Sequence, residues 1–249
     1  MLGRRHPLPL RLALGGAIAC GAALAPTAAG ATCAAGAVED VGTANVRLAV
    51  ELAHGTLTAR TAPSATAPAI RTFGPRTPEG VTRVFLVRRR VVGASCGAAW
   101  YRVDLPIRPN GVRGWVPAAG LKPYVVRWRI RVDLSQRRLI AYEGGRERLR
   151  LTVAVGSSST PTPTGSYYVF ERLYVRDANG PYGPGALGLS SFSPVLTGWT
   201  RGGPVAIHGT DSASTVGQAV SNGCVRVRNE QMQKLLRLVP AGTPVEIAG

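Results

Sequence analysis

The segment AIHGTDSASTVGQAVSNGCVRVRN places His208 and Cys224 sixteen positions apart. An imidazole can take a thiol proton near neutral pH, and a cysteine beside it attacks far more strongly than free cysteine, whose pKa is about 8.5. The pair therefore offers a nucleophile and its base. A zinc site would need three or four ligands at supporting spacing, and the other histidines are only His6 and His54. No metal and no cofactor are implied.

The chemistry must be placed in a compartment. Arg4, Arg5 and Arg11 precede the apolar run LALGGAIACGAALA, which ends in small residues. The run is shorter than the roughly 20 residues needed to cross a bilayer, so residues 1–31 are expected to be a secretory signal peptide. Ala29-Gly30-Ala31 supplies a small-x-small cleavage site. No stable membrane span is expected after cleavage. An uncleaved anchor is the alternative, as is a lipid on Cys20, where Ala17 replaces the usual leucine.

Cleavage after Ala31 would leave Cys33, Cys96 and Cys224, an odd number in a chain bound for an oxidising compartment. If Cys33 and Cys96 pair, Cys224 remains the unpaired thiol. Nothing in the flexible stretch ATCAAGA fixes that pairing.

The whole chain carries a formal charge of +17. Three of its basic residues belong to the leader, leaving a mature charge of about +14. Outside the cytoplasm nucleic acid is excluded as a partner, and anionic wall polymers or carboxylate-rich wall peptides suit such a surface. The arginines are spread along the chain, and Arg88-Arg89-Arg90 is the only dense cluster. Compositional bias alone would give the same picture.

The elements that must position the pair read as mainly β. In the N-terminal half, VRLAVEL, VTRVFLVRR, AWYRVDL and RGWVPA are short strand-like runs separated by Pro, Gly and Asn turns, as in a small barrel. No helix-length amphipathic pattern occurs there. A joint is expected near Leu121-Lys122-Pro123-Tyr124. From Trp128 onward apolar and polar residues alternate, with turns at Ser135-Gln136 and Gly144-Gly145. One helix follows Cys224, with Asn229 as N-cap, Met232, Leu235, Leu236 and Val239 on one face, and Pro240 and Gly242 ending it.

Residues 45–122 resemble bacterial SH3-like domains, on the strength of WYRVDLPIRPNGVRGWVPAAGLKPY with its tip turn Pro109-Asn110-Gly111. Trp100 and Trp115 are expected in the barrel core, with a binding groove as the alternative. Residues 32–44 form a flexible lead-in.

The segments DLSQRRLIAYEGGR, AVGSSSTPTPTGSYYV, GALGLS, AIHGT and SNGCVRVRNEQMQKLLRLVPAGTPVEI, in this order, resemble the L,D-transpeptidase (YkuD-like) catalytic domain over residues 125–248. The expected architecture is thus a small SH3-like β-barrel followed by a β-rich catalytic domain with few helices. The resemblance implies acyl transfer on peptidoglycan stem peptides. Cys224 would attack the carbonyl at stem position three, expel the terminal D-alanine, and leave a thioester for an amine of a second stem.

The same resemblance assigns His208 as base, with the backbone carbonyl of Gly209 orienting its other nitrogen and Asp211 as a weaker candidate. It gives backbone N–H groups of Asn222, Gly223 and Cys224 as the oxyanion hole. Arg226 would bind a substrate carboxylate or hold the loop, and Ser221 would brace it. Asn222 stands where many members carry histidine, so base duty falls on His208 alone. The TPTPTG run at 160–165 would wall the cleft. Residues from Tyr174 to Gly188 would cover it, with Tyr182 as a substrate contact. A polarised site implies thiolate at neutral pH and acylation by carbapenems.

Rival chemistries are weaker. Papain-like order needs a histidine after the cysteine; none follows Cys224, and Cys96, which precedes His208, lies in a hairpin without a catalytic helix. Transfer of the acyl group to water would make an L,D-carboxypeptidase, because cleft shape and water access choose the acceptor. A non-catalytic wall-binding protein is the remaining class, against which the joint presence of Cys224, His208, Gly223 and Arg226 argues.

Overall fold

A computed structural model describes residues 33–199 and 203–249. The expected signal peptide lies outside the described residues. The N-terminal strands are β1 (Val38–Asp40), β2 (Arg47–Leu52), β3 (Leu57–Arg60), β4 (Ala69–Phe73), β5 (Arg83–Val92), β6 (Ala98–Asp104), β7 (Arg113–Pro117) and β8 (Leu121–Val126). They form one sheet in the order β4-β3-β7-β6-β5-β2-β8, with β1 also paired to β5.

The second half contributes β9 (Trp128–Asp133), β10 (Arg138–Glu143), β11 (Arg146–Thr152), β12 (Val155–Gly156), β13 (Gly165–Tyr174) and β14 (Gly185–Phe192). It continues with β15 (Pro204–His208), β16 (Ala219–Ser221), β17 (Val225–Arg226), helix α1 (Asn229–Leu238) and β18 (Pro244–Ala248). Its main sheet runs β11-β10-β9-β18-β13-β14-β15-β17, and β12 pairs separately with β16. The protein is mainly β, with one α-helix among the described residues. None of those residues forms a helix long and apolar enough to cross a membrane.

Two strands explain how the sheets meet. The run Val84-Phe85-Leu86-Val87 in β5 is buried throughout, because a central strand covered on both faces needs no polar alternation. Phe85 and Val87 face the first core, whereas Val84 joins the core of the second sheet. In β13, Tyr167 and Val169 join that second core, while Tyr168 and Phe170 pack against Leu86 between the sheets. Burying each such aromatic side chain stabilises the contact by about 1.5–3 kcal/mol. Tyr168 Oη donates to the Val84 carbonyl at 3.1 Å, so its hydroxyl is not buried without a partner.

Several expectations are corrected here. Leu121-Lys122-Pro123-Tyr124 is not a joint but most of strand β8, whose residues pair along β2 from Leu52 to Arg47. Pro123 is tolerated because β8 is an edge strand and the missing N–H costs no ladder bond. The chain passes from one sheet to the other at Arg127.

Trp100 and Trp115 are half-buried and stand outside the core cluster, which is filled by Phe73, Phe85, Tyr101 and aliphatic residues. The dense cluster Arg88-Arg89-Arg90 is not an open cationic patch. Its members pair with Asp104 at 2.5 Å, Asp40 at 2.7 Å and Glu39 at 2.7 Å. Cys33 and Cys96 form a disulfide, leaving Cys224 as the free thiol among the described residues.

Helix α1 buries Met232, Leu235 and Leu236, as its spacing requires. Its N-cap is Arg228 rather than Asn229, and no side chain caps it. The Asn229 amide is drawn elsewhere, accepting from Thr210 N–H at 2.8 Å and donating to the Ala178 carbonyl at 3.0 Å. After the helix, Gly242 adopts φ +81° and passes so close to β2 that an added Cβ would lie 2.4 Å from the Ala49 Cβ. The turn that ends α1 is thereby seated on the first sheet.

Candidate active site

Strands β15 and β17 are short and parallel, with Ile207 opposite Val225 and His208 opposite Arg226. The Val227 N–H donates to the His208 carbonyl at 2.9 Å and extends this pairing. Cys224 is the residue just before β17, so the thiol lies beside the strand that His208 ends. Both line one cavity of about 800 Å³, together with Tyr182, Trp199, Asn222 and Arg226.

The chain between His208 and Cys224 loops out through a short 3-10 turn at Ala213–Thr215 and returns in β16. Its return is fixed by the TPTPTG segment. Thr160 Oγ1 and Ser157 N–H both donate to the Ser221 carbonyl, at 2.9 and 3.0 Å, and Gly156 N–H donates to Thr162 Oγ1 at 2.8 Å. The proline-rich loop therefore grips the cysteine loop and forms its floor.

His208 is 4% exposed, and its Nδ1 lies 2.5 Å from the Gly209 carbonyl oxygen. That bond sets Nδ1 as the protonated nitrogen and leaves Nε2 with its lone pair. Burial pushes the imidazole pKa down to about 4, the Gly209 carbonyl opposes this, the Arg226 charge adds to it, and Asp211 opposes it. Asp211 is exposed and makes no hydrogen bond to the ring among the described residues. Tyr182 lies across the imidazole, with ring centroids 5.0 Å apart and planes inclined by 56°.

Burial likewise pushes the Cys224 thiol up, against smaller lowering effects from the Ala206 backbone and Arg226. Burial works against the expected resting thiolate, because it disfavours the charged form of the thiol and of the imidazole alike.

The cysteine loop is braced from within. Ser221 Oγ donates to the Cys224 carbonyl at 2.5 Å and accepts from Gly223 N–H at 3.2 Å. Of the three N–H groups expected to form the oxyanion hole, that of Gly223 is thus engaged by Ser221. Gly223 takes φ +104°, a conformation that side chains rarely adopt. The covering segment is also narrower than expected, since Tyr174 ends β13 and β14 begins at Gly185.

Three contributors had no signal in the sequence. Glu171 is 2% exposed on β13 and lines the cavity, but it reads as one polar residue in a strand. Trp199 lies in a glycine-rich stretch without periodicity, and Asn229 looks like an ordinary cap.

The L,D-transpeptidase catalytic-domain model (YkuD) matches residues 127–247. The Bacillus subtilis protein YkuD, named as an L,D-transpeptidase, is 34% identical over 125 residues, covering 50% of this chain and 68% of its own. Its Bacillus licheniformis counterpart is 35% identical over the same length and shares. A solved structure, the Ldtfm–avibactam carbamoyl enzyme, is similar at 26% identity over 49% of this chain, with a TM-score of 0.37. The chain spans about half of that structure, 48% of its length.

Proposed function

The chain belongs to the L,D-transpeptidase (YkuD) family, and from that premise we propose that it is an exported peptidoglycan L,D-transpeptidase with Cys224 as nucleophile. The observation that carries this reading is the shared cavity of His208 and Cys224, with the imidazole oriented by Gly209.

The reaction starts from the neutral pair. As Sγ of Cys224 attacks the stem carbonyl carbon, its proton passes to Nε2 of His208, and the carbonyl oxygen becomes an oxyanion. Backbone N–H groups of Asn222 and Cys224 receive that charge, each worth about 3–4 kcal/mol of barrier when well placed. The C–N bond then breaks, the imidazolium returns its proton to the departing D-alanine amine, and a thioester remains. An acceptor amine attacks the thioester, gives a proton to His208, and expels the sulfur, which takes that proton back. One amide is exchanged for another, so no cofactor is required.

The resting state costs little reactivity under this scheme. Charge appears only when substrate closes the cavity, and proton transfer and attack proceed together. Arg226 lines the cavity and its Nε has no hydrogen-bond partner among the described residues, which supports a contact with a substrate carboxylate rather than a purely structural role. Tyr182 packs on the imidazole and serves as a substrate wall.

Export and the division of labour belong to the same proposal. A disulfide between Cys33 and Cys96 supports an oxidising compartment beyond the signal peptide. The first sheet, whose last strand ends at Val126, acts as an SH3-like module beside the catalytic domain that follows Arg127, with peptidoglycan as the partner. Release of D-alanine from a disaccharide tetrapeptide tests the reading. Wild-type protein should release it and Cys224→Ser should not, while His208→Gln should slow release by at least a hundredfold. Equal release by the Cys224→Ser protein would overturn the assignment of the nucleophile.

A further inference from the structure

Asn110, at the tip of the turn between β6 and β7, meets Phe192, the last residue of β14. Its Nδ2 donates to the Phe192 carbonyl and its Oδ1 accepts from the Phe192 N–H, both at 2.9 Å. Two residues of a hydrogen-bonded antiparallel pair exchange both bonds in this way, so the amide takes the place of a neighbouring strand. The place is open because the β13 ladder on β14 stops at Val169 opposite Leu189, three residues short of Phe192. On the other side Phe192 stands opposite Pro204, and the Ser193 N–H donates to the Gly203 carbonyl at 2.8 Å.

Beyond Phe192 the chain becomes a wall of the catalytic cavity. Ser193, Leu196 and Trp199 line the space that holds His208 and Cys224, as does Gly203. The buried Ser193 hydroxyl accepts from the Val195 and Leu196 N–H groups, at 3.3 and 3.1 Å, and so folds the stretch back over its own root. Gly203 takes φ +68°, and an added Cβ there would lie 2.4 Å from the Leu196 carbonyl oxygen. Arg108 Nη2 donates to the Ser193 carbonyl at 2.6 Å.

The β6–β7 turn of the first sheet thus holds the two residues from which the wall departs. None of residues 194–199 is buried, so the stretch gains little from core packing and depends on how its root is fixed.

We propose that Asn110 is a positioning residue for substrate binding: it fixes the root of the 193–199 wall and thereby holds Leu196 and Trp199 where a peptidoglycan stem peptide lies. The role rests on the peptidoglycan reading above. It gives the first sheet a part in the reaction that requires no ligand of its own.

The test uses the mature chain carrying Cys224→Ala, with binding of a disaccharide tetrapeptide measured by calorimetry. Asn110→Ala should weaken binding about threefold to tenfold, the range that loss of exposed hydrogen bonds implies. Asn110→Asp, which keeps the acceptor and loses the donor, should weaken it as well, and serves if the alanine variant fails to fold. Without peptide, amide hydrogen exchange across residues 193–199 should quicken in Asn110→Ala. In the chain with Cys224 intact, KM should rise by the same factor as the loss of affinity, with kcat little changed.

Tyr124→Phe supplies the comparison. Tyr124 also links the first sheet to the second half, donating to the Ala241 carbonyl at 2.9 Å, but neither of these residues lines the cavity. This variant should bind the peptide as the parent does.

Equal affinity of the parent and the Asn110 variants would overturn the role, as would unchanged exchange across residues 193–199. An equal loss of affinity in Tyr124→Phe would overturn it too, by reducing Asn110 to one of several bonds that dock the sheets. Faster exchange in a chain that binds no stem peptide and releases no D-alanine would keep the clamp and sink the peptidoglycan reading.

Discussion

Asn229 and Thr210 are joined by a 2.8 Å hydrogen bond from the Thr210 N–H to the Asn229 Oδ1, so the first residue of the helix after Cys224 holds the loop after His208. The same amide donates to the Ala178 carbonyl in the covering segment. One side chain thus ties together the helix, the His208 loop and the cover. An added Cβ at Gly209 would sit 2.5 Å from that Oδ1, so the loop can approach only because Gly209 has no side chain.

Replacing Asn229 with Ala should therefore do more than remove a surface amide. Two backbone partners lose their bonds, at about 1–3 kcal/mol when they stay buried. The Gly209 carbonyl that orients His208 is then released. We expect kcat to fall at least tenfold with KM little changed, alongside a lower Tm. Kinetics unchanged from wild type would show that Gly209 is held by other contacts.

Ser221 is 1% exposed, and its hydroxyl makes both of its bonds within the cysteine loop. Ser221→Ala should leave the Cys224 carbonyl and the Gly223 N–H without that partner, lowering stability by about 1–3 kcal/mol. For a chain of this size each kcal/mol corresponds to about 2–4 °C in Tm. Carbapenem acylation should slow in the same variant, because the backbone donors beside Cys224 lose their brace. A stable variant acylated at the wild-type rate would contradict this role.

Acid should destabilise the protein through His208. Its folded pKa, near 4, lies below the ordinary imidazole value of 6.5, so between those values the unfolded chain binds a proton that the folded chain refuses. Stability then rises with pH across this window, and acidification through it costs roughly 3 kcal/mol, with no further loss from this group below about pH 4. Asp133 also contributes, but its pKa is lowered from 3.8 by the Gln136 N–H and the Ser135 hydroxyl, which places its losses at more acidic pH. Urea unfolding from pH 4 to pH 7 should give a shallower slope for His208→Gln than for wild type. Parallel curves would mean that His208 titrates normally in the folded state.

What the sequence made legible follows from where its signals are local. Alternation over residues 128–152 and the spacing of Met232, Leu235 and Leu236 report a buried face directly, so strands β9 to β11 and helix α1 could be read from them. His208 and Cys224 were legible because few side chains do their chemistry. Asn229 was misread because a helix-initial Asn normally caps its own helix, and only the fold brings Thr210 within its reach. Asn110 and Phe192 meet across 82 positions, a separation at which no periodicity carries information. Pro123 looked like a break because the sequence does not say which strand lies at an edge. The engagement of Gly223 N–H by Ser221 depends on one loop conformation, which residue types leave open.

The central claim is that Cys224 carries the acyl group. Intact-mass measurement of the mature protein during incubation with a disaccharide tetrapeptide tests it most directly, beside Cys96→Ser and Cys224→Ser variants. The account predicts a transient adduct with loss of D-alanine in wild type and in Cys96→Ser, absent in Cys224→Ser, and a crosslinked dimer as product. Free tripeptide in place of the dimer would keep the nucleophile and make water the acceptor. An adduct that persists in Cys224→Ser, or no adduct and no turnover with any stem peptide, would contradict the account.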